Sequence, residues 1–463
     1  MKSKLSDSDP AVSAARSAAF DILIRVERDS SYASELLHSR SYDRLTALDH
    51  SLATELVMGV LRWRSLLDSQ IAEISAQPLS KLDLEILTAL RLAVYQLGWL
   101  SRVPARAAIN ESVELVKRAR KRSAAPFVNA VLRKLAASDI GHQPSQSSLN
   151  GSSAEGLAAN SAHPLWLVER WTHAFGFDSA RRICEYDQSI PTTAIRIRHP
   201  EAEAQLKAEG FELDPGALLS SARRVLRGDI TKSAAFQAGS FVIQDEASQL
   251  VAALVGRGAN ILDCCAAPGG KTLAIADRNS IASIAAVDLH PHRARLLQKL
   301  LHGNDPAVEP QTGNIKVVAA DARNLPFVTK FNRILADVPC SGTGTLARNP
   351  EIKWRLMPED LIDLQSRQIA ILRSAMTQVT EGGRLIYSTC SLEREENEDV
   401  VELSMSQDSS FRVIDCSDEL KQLQRAGELI WPDLSSLTRG PYLRTLPGLH
   451  PCDGFFAAIL EKI

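Results

Sequence analysis

The chain reads as an α/β protein with a mostly parallel sheet in its C-terminal half, preceded by an all-α domain and a small α+β unit. Three observations carry that reading. Residues 11–137 place apolar side chains at helical spacing, and residues 236–463 alternate short apolar runs with helical stretches. Between them, residues 138–162 are Ser, Gly, Asn, Gln and Ala with hardly a large apolar side chain, the composition of a flexible linker. At 463 residues the chain has room for roughly three domains of about 150 residues.

The helical part comes first. Leu82, Ile86, Leu90, Ala93 and Leu97 recur every three to four residues, and Val113, Leu115 and Val116 precede the basic run Lys117, Arg118, Arg120, Lys121 and Arg122. The domain is therefore expected to be a bundle with one basic helix face, to which Arg102 and Arg106 add charge. After the linker, residues 163–235 hold a Trp-bearing helix near residues 166–174 and a β-like stretch at 192–198, which suggests a small α+β unit.

Composition narrows the function. A formal net charge of −2 excludes a globally basic nucleic-acid coat and leaves local patches open. Seven cysteines without CxxC or Cys/His ligand spacing favour neither a disulfide framework nor a metal site, and reduced thiols fit a cytoplasmic protein. Residues 1–26 lack an apolar leader core and no stretch approaches ~18 consecutive apolar residues, so neither export nor a membrane span is expected. Nothing in the chain argues for a subunit interface, so a monomer is expected.

From residue 236 onward apolar runs fall at 260–262, 284–287, 315–319, 333–336, 385–387 and 455–460. The polar residues that follow them are Asp263 with a Gly-rich loop, Asp288, Asp321, Asp337 with Cys340, and Ser388 with Cys390. Residues just beyond strand ends in an open parallel sheet face the crevice where such sheets bind ligands.

The loop Cys264-Cys265-Ala266-Ala267-Pro268-Gly269-Gly270-Lys271-Thr272 follows the first of these strands and opens a helix. Glycines let a ligand approach the backbone, and the helix N-terminus offers unpaired N–H groups to a carboxylate or phosphate. A P-loop would need glycine where Cys265 stands, and the G-x-G-x-x-G of a dinucleotide site is absent. Asp288 is placed to accept hydrogen bonds from a ribose, and Asp321 could face an adenine amino group. Ribose without pyrophosphate points to S-adenosylmethionine. Each aspartate alone could equally be a helix N-cap.

Pro339-Cys340 and Thr389-Cys390 aim two thiols at the same crevice. Carbon 5 of a pyrimidine is a poor nucleophile, and a thiolate adding to carbon 6 makes the ring an enamine whose carbon 5 can attack a sulfonium methyl group. One cysteine would supply the nucleophile, the other would assist elimination, and Asp337 would hold the N3 edge of the base. Free cysteines are often buried hydrophobes, and that reading stands for Cys184, Cys416 and Cys452. Cys264 and Cys265 flank the loop and pack or lend backbone contacts.

Cys265 to Lys271, Asp337 to Gly344, Asn349-Pro350-Glu351-Ile352-Lys353-Trp354, Tyr387 to Ser391, Glu396-Asn397-Glu398 and Asp453-Gly454-Phe455-Phe456 together resemble the RNA 5-methylcytosine methyltransferases of the NOL/NOP/Sun type. The helical part, including Glu55 to Arg62, resembles the NusB-type RNA-binding domain of bacterial members that act on 16S rRNA. The resemblance implies a Rossmann-like methyltransferase domain behind a NusB-like one, and methylation of carbon 5 of a cytosine in 16S rRNA through a covalent cysteine–C6 intermediate. It implies Cys390 as nucleophile and Cys340 as the release cysteine, with Asp337 and Lys271 completing the catalytic set. S-adenosylmethionine contacts then fall to Cys265, Ala266, Ala267, Pro268, Gly269, Gly270, Lys271, Asp288, Asp321 and Asp337. The chain departs from the pattern at Arg196-Ile197-Arg198, where Arg-Val-Asn is usual, and in its long linker. Two other readings stay open: a NusB-like assembly factor whose methyltransferase domain is scaffold, and DNA cytosine-5 methylation, which would leave Cys390 without a role.

Overall fold

A computed structural model describes residues 12–138, 153–302 and 314–463, which divide into two compact units. One runs to Ile190 and takes in Leu346–Arg355; the other comprises Pro191–Thr345 and Leu356–Ile463.

The first unit is helical: α1 (Ala14–Asp29), α2 (Ala33–Leu37), α3 (Ala47–Ser75), α4 (Leu84–Trp99), α5 (Ala105–Arg118), α6 (Ala125–Ala137), α7 (Ala154–Asn160), α8 (Leu165–Phe175) and α9 (Phe177–Asp187). In α1 the apolar positions Ala15, Ala19, Ile22, Leu23 and Val26 share one face and are buried. The start of α3 is fixed by Thr46, whose hydroxyl accepts the Asp49 N–H at 3.1 Å while donating to the Asp49 carboxylate at 2.7 Å. The expected stripe on α4 is buried at Ile86, Leu90 and Ala93. Within the basic run, Lys117 pairs with Glu114, Arg118 with Asp21 and Lys121 with Asp83, while Arg102, Arg106, Arg120 and Arg122 are exposed.

Two boundaries differ from the sequence expectation. Of the expected linker, residues 139–152 lie outside the described residues, as does the expected start at residue 11, but Ala154–Asn160 is helical. Ser153 caps it by accepting the Gly156 N–H, and Leu157 and Ala158 are buried. The Trp-bearing helix α8 likewise belongs to the helical unit, because Leu167, Val168 and Trp171 bury against α7 and α9 rather than against strands.

The short insertion Leu346–Arg355, which ends in the helical turn α15 (Ile352–Arg355), completes this unit. Glu351 accepts the Ala33 N–H at 2.9 Å, the Trp354 indole donates to the Leu61 carbonyl at 2.6 Å, and Arg355 donates to the Val26 and Ser30 carbonyls at 2.9 Å. Lys353, 1% exposed, donates to the carbonyls of Arg62 at 2.9 Å and Ala162 at 3.0 Å. An amine that reaches the Arg62 carbonyl in the middle of α3 and the Ala162 carbonyl past the end of α7 ties the two together.

The second unit holds two sheets. The smaller contains β1 (Thr193–Ile197), β2 (Glu212–Pro215), β3 (Ala222–Arg227) and β4 (Phe241–Ile243) in the antiparallel order β2-β3-β1-β4, with α10 (Glu201–Ala208) and α11 (Ala234–Gln237). The larger holds β5 (Asn260–Asp263), β6 (Ser283–Asp288), β7 (Asn314–Ala319), β8 (Phe331–Asp337), β9 (Val379–Thr389), β10 (Phe411–Ile414), β11 (Thr438–Arg439), β12 (Tyr442–Thr445) and β13 (Phe455–Lys462). Its order is β11-β12-β13-β9-β8-β5-β6-β7, with β10 also paired to β13. The five strands β9 to β7 run parallel and β13 pairs antiparallel to β9. Helices α12 (Glu246–Leu254), α13 (Gly270–Arg278), α14 (Pro291–His302), α16 (Asp360–Thr377), α17 (Glu398–Met405) and α18 (Cys416–Arg425) complete it. All six apolar runs singled out above lie in strands of this sheet. The chain leaves β5 toward β6 and β7, then returns as β8 on the opposite side, so the switch point lies between the ends of β5 and β8.

The small sheet is fastened to the large one through the departure noted above. Asp277 of α13 accepts from Arg196 Nη1 at 2.7 Å and from Arg198 Nε and Nη2 at 2.9 and 2.8 Å. Both arginines are thus committed inside this unit.

Burial lowers the Lys353 ammonium to about 7, with Asp187 opposing and Arg62 adding to the effect. Between pH 7 and about 10 the unfolded chain then holds a proton at this lysine that the folded chain lacks, so stability rises with pH across that window. Urea unfolding of the protein and of a Lys353→Met variant should therefore diverge by about 1.4 kcal/mol per pH unit from pH 7 to 9, the wild type gaining and the variant not. Parallel curves would mean that the buried lysine stays charged.

Candidate active site

The switch point gathers residues from four strand ends. β5 delivers Asp263 and then the Gly-rich loop; β8 delivers Asp337 and Cys340; β9 delivers Ser388 and Cys390; β13 begins at Phe455. Parallel pairing sets Asp337 opposite Ser388, so the two cysteine-bearing loops leave the sheet side by side. The Cys340 and Cys390 sulfurs stand 3.3 Å apart, both half-buried.

Asp337 is held from two sides. Its Oδ1 accepts the Ser388 hydroxyl at 2.7 Å, and its Oδ2 lies 2.8 Å from Lys271 Nζ. Lys271 also sits 4.9 Å from the centre of the Phe455 ring. Burial works to lower the Lys271 ammonium, yet the charge and hydrogen bond of Asp337, with smaller contributions from Cys390 and Asp263, outweigh it and leave the group raised. The lysine therefore stands as a fixed cation beside Cys390. The Cys340 thiol is held well above the ordinary range, first by its hydrogen bond to Cys390 and then by burial. The Cys340 sulfur is thereby kept as the thiol of the pair.

The Gly-rich loop and α13 form the opposite wall of a cavity of about 270 Å³ that Asp337, Lys271 and Cys390 also line. Cys265, Ala266, Ala267, Pro268, Gly269 and Gly270 all face it. Gly269 caps α13 with a left-handed φ of 115°, and a Cβ there would stand 2.6 Å from Leu297 and 2.9 Å from Leu300. Asp263 at the base of the loop is 1% exposed; its Oδ2 accepts the Thr272 hydroxyl at 2.7 Å, while Oδ1 has no hydrogen-bond partner among the described residues. Burial pushes its carboxyl up to about 7, against the Thr272 hydrogen bond. An orphaned buried acceptor beside a glycine-opened helix N-terminus suits a small zwitterion such as the amino-acid end of S-adenosylmethionine.

Asp288 and Asp321 do not line this cavity. Asp288, at the end of β6, accepts the His290 N–H at 2.9 Å. Asp321 accepts the Arg323 N–H at 2.9 Å and the Arg323 guanidinium, whose hydrogen bond keeps its carboxyl below the usual range. Asp321 caps the short 3-10 turn that follows it, while Asp288 closes a local turn ahead of α14.

Several lining residues, among them Asp453 of the closing motif, were given no site role by the sequence. Gln244, Asp245 and Ser248 enter from the end of β4 and the start of α12, where Asp245 caps the helix by accepting the Ala247 N–H at 2.9 Å. Asp453 enters from the opposite side, its N–H donating to Asp245 at 3.2 Å. The apolar stretch Phe241–Ile243 followed by Gln-Asp carried the same strand-then-polar signal as the others, but three residues are too few to stand out.

Residues 254–461 match the family described as 16S rRNA methyltransferase RsmB/F, and residues 13–137 match the NusB family. The chain is 33% identical over 457 residues to the probable ribosomal RNA small subunit methyltransferase B of Bacillus subtilis (strain 168), covering 96% of this chain and 98% of that protein. Among solved structures, the crystal structure of PH0851 is similar with a TM-score of 0.77 and 23% identity, covering 98% of this chain and all of that one. NSun6 from Pyrococcus horikoshii with SFG is similar with a TM-score of 0.55 and 21% identity, over 65% of this chain and 99% of that one. The fold is accordingly a NusB-like helical domain and a Rossmann-like methyltransferase domain.

The Gly269 backbone makes a direct test of the cavity wall. Gly269→Ala should lose about 1–2 kcal/mol of stability, because an L side chain resists this backbone conformation. Calorimetric titration with S-adenosylmethionine should show affinity at least about tenfold weaker, since each 1.4 kcal/mol is tenfold. Unchanged affinity would remove the loop from the binding site.

Proposed function

The chain belongs to the RsmB/F family of 16S rRNA methyltransferases, and from that premise we propose that it methylates carbon 5 of a cytosine in small-subunit rRNA through a covalent Cys390 adduct. S-adenosylmethionine is the methyl donor of the family, and when bound it supplies an electrophilic methyl group. The observation that carries the finer reading is the pair of sulfurs 3.3 Å apart beside the Lys271–Asp337 ion pair.

The roles follow from charge. The Cys390 sulfur, in the cavity that Lys271 also lines, donates its electron pair to carbon 6 of the base. Electron density then moves toward N3, where a proton taken up from solvent is shared between the ring and Asp337, oriented by Ser388 and Lys271, and is given back on elimination. Carbon 5, now enamine-like, takes up the methyl group. Loss of the carbon-5 proton returns the S–C6 electron pair to Cys390 and restores aromaticity, with one proton released overall. Cys340 serves this last step from hydrogen-bonding distance of the leaving sulfur.

Cys265 through Lys271 are the residues expected to hold the donor's amino-acid end. Asp288 and Asp321 keep the ribose and adenine roles that the resemblance implies, although their nearest partners are local. The helical unit is the expected RNA grip: Arg102, Arg106, Arg120 and Arg122 offer exposed cations for phosphates. DNA methylation and a scaffold-only role gain no support, since Cys390 lines one cavity with the cofactor loop and Cys340 stands 3.3 Å from it.

Cys340→Ala protein incubated with rRNA and S-adenosylmethionine should accumulate a denaturation-resistant RNA–protein adduct, and Cys390→Ala protein should give none. A Cys390→Ala enzyme that still methylates at the normal rate would overturn the role assignment. Bisulfite sequencing of small-subunit rRNA from a deletion strain should reveal one lost 5-methylcytosine; an unchanged map would sink the rRNA reading.

A further inference from the structure

The two-cysteine mechanism demands that two loops from different strands hold their sulfurs in register, and loops do not do this unaided. Behind the cysteines lies Glu396, fully buried. Its Oε1 accepts the Ser341 backbone N–H and the Gln368 side-chain amide, each at 2.8 Å, and its Oε2 accepts the hydroxyls of Ser341 and Ser391, each at 2.5 Å. Ser341 directly follows Cys340, and Ser391 directly follows Cys390.

The residues preceding the cysteines are tied to the same corner. Gln368 donates to the Pro339 carbonyl at 3.0 Å. The Thr389 hydroxyl donates to Asn397 Oδ1 at 2.5 Å, and Asn397 Nδ2 donates to the Ser391 carbonyl at 2.9 Å. The Tyr387 hydroxyl, on the strand leading to Cys390, donates to the Glu396 carbonyl at 2.6 Å. Each cysteine is thus bracketed on both sides, and the Glu396 carboxylate touches both brackets, beside a direct Ser341–Ser391 hydroxyl contact of 3.0 Å and the Gly344 N–H that donates to the Cys390 carbonyl at 2.8 Å.

We propose that Glu396 is the positioning residue of the two-cysteine site, a buried carboxylate that sets the separation of the Cys340 and Cys390 sulfurs. This rests on the covalent reading above. A carboxylate suits the task because it is acceptor-only, with lone pairs enough for four donors converging from three chain segments. Its neutral isostere replaces one oxygen by an NH2 group, which would face hydroxyls and N–H groups already donating to that point. The loops would then separate by tenths of an ångström to an ångström, a displacement that costs chemistry far more than binding.

Three variants of the full-length protein, assayed with an rRNA transcript and S-adenosylmethionine, test the assignment. Glu396→Gln should lower kcat on the order of a hundredfold, with KM for both substrates within about threefold of wild type. Ser341→Ala removes the hydroxyl tie next to Cys340 and should accumulate the denaturation-resistant adduct. Ser391→Ala removes the hydroxyl tie next to Cys390 and should slow adduct formation without trapping it. If Glu396→Gln fails to fold, the two serine variants carry the test through their opposite partitioning. A Glu396→Gln enzyme with kcat within about threefold of wild type, or serine variants that both partition as wild type does, would overturn the assignment. Adduct from Cys340→Ala alongside such a result would sink this inference alone; no adduct from Cys340→Ala would sink the covalent reading and this inference with it.

Discussion

The pairing of β8 with β9 is the constraint on which the rest of the site depends. Parallel strands place residues of equal register at the same height, and here Asp337 and Ser388 share that height. Every functional relation described above is measured from it: the Ser388–Asp337 hydrogen bond, the approach of Lys271 from the neighbouring helix, and the meeting of two sulfurs two to three residues further on. A one-residue slip would turn Ser388 to the other face of the sheet and carry Cys390 away with it. The antiparallel strand β13 secures β9 on its far side and brings Phe455 to the same edge.

Around this register the protein buries an unusual amount of polar chemistry. Asp263, Asp337, Lys271, Glu396 and Asn397 lie within or beside the core, and buried charges persist only where partners replace the water they lose. The network divides into two layers. Lys271 and Asp337 face the cavity and carry charge that the chemistry can use, with Ser388 buried behind Asp337. Glu396, Gln368, Asn397 and the two serines lie behind, satisfied almost entirely by one another and by backbone, which makes them rigid.

Much of this was legible in the sequence, and the reason is local. Strand-then-polar patterning located Asp263, Asp337, Cys340, Ser388 and Cys390, because each lies within a few residues of an apolar run long enough to read. The Rossmann-like and NusB-like domains were readable for the same reason. What escaped depends on contacts remote in sequence. Glu396 belongs to the Glu396-Asn397-Glu398 motif of the resemblance but carries no role there, and its bonds to both cysteine loops come only from the fold. Arg196 and Arg198, read as a departure bearing on RNA, meet Asp277 some eighty positions away. Residues 154–160 looked like linker because a helix of seven residues with two buried side chains leaves almost no periodic trace.

The insertion Leu346–Arg355 has a consequence for how the molecule is made. The helical unit does not finish where α9 does: Lys353, Trp354 and Arg355 fill hydrogen-bonding positions on α1, α3 and the turn after α7, and Lys353 follows Asp187, the end of α9, by 166 residues (353 − 187). N-terminal domains generally begin to fold as they emerge. This one emerges with acceptor carbonyls waiting for a segment encoded inside the catalytic half, directly after the Cys340 loop. Completion of the helical unit is therefore tied to translation of the active site, and a chain cut at the apparent domain boundary yields a helical fragment short of its own last piece.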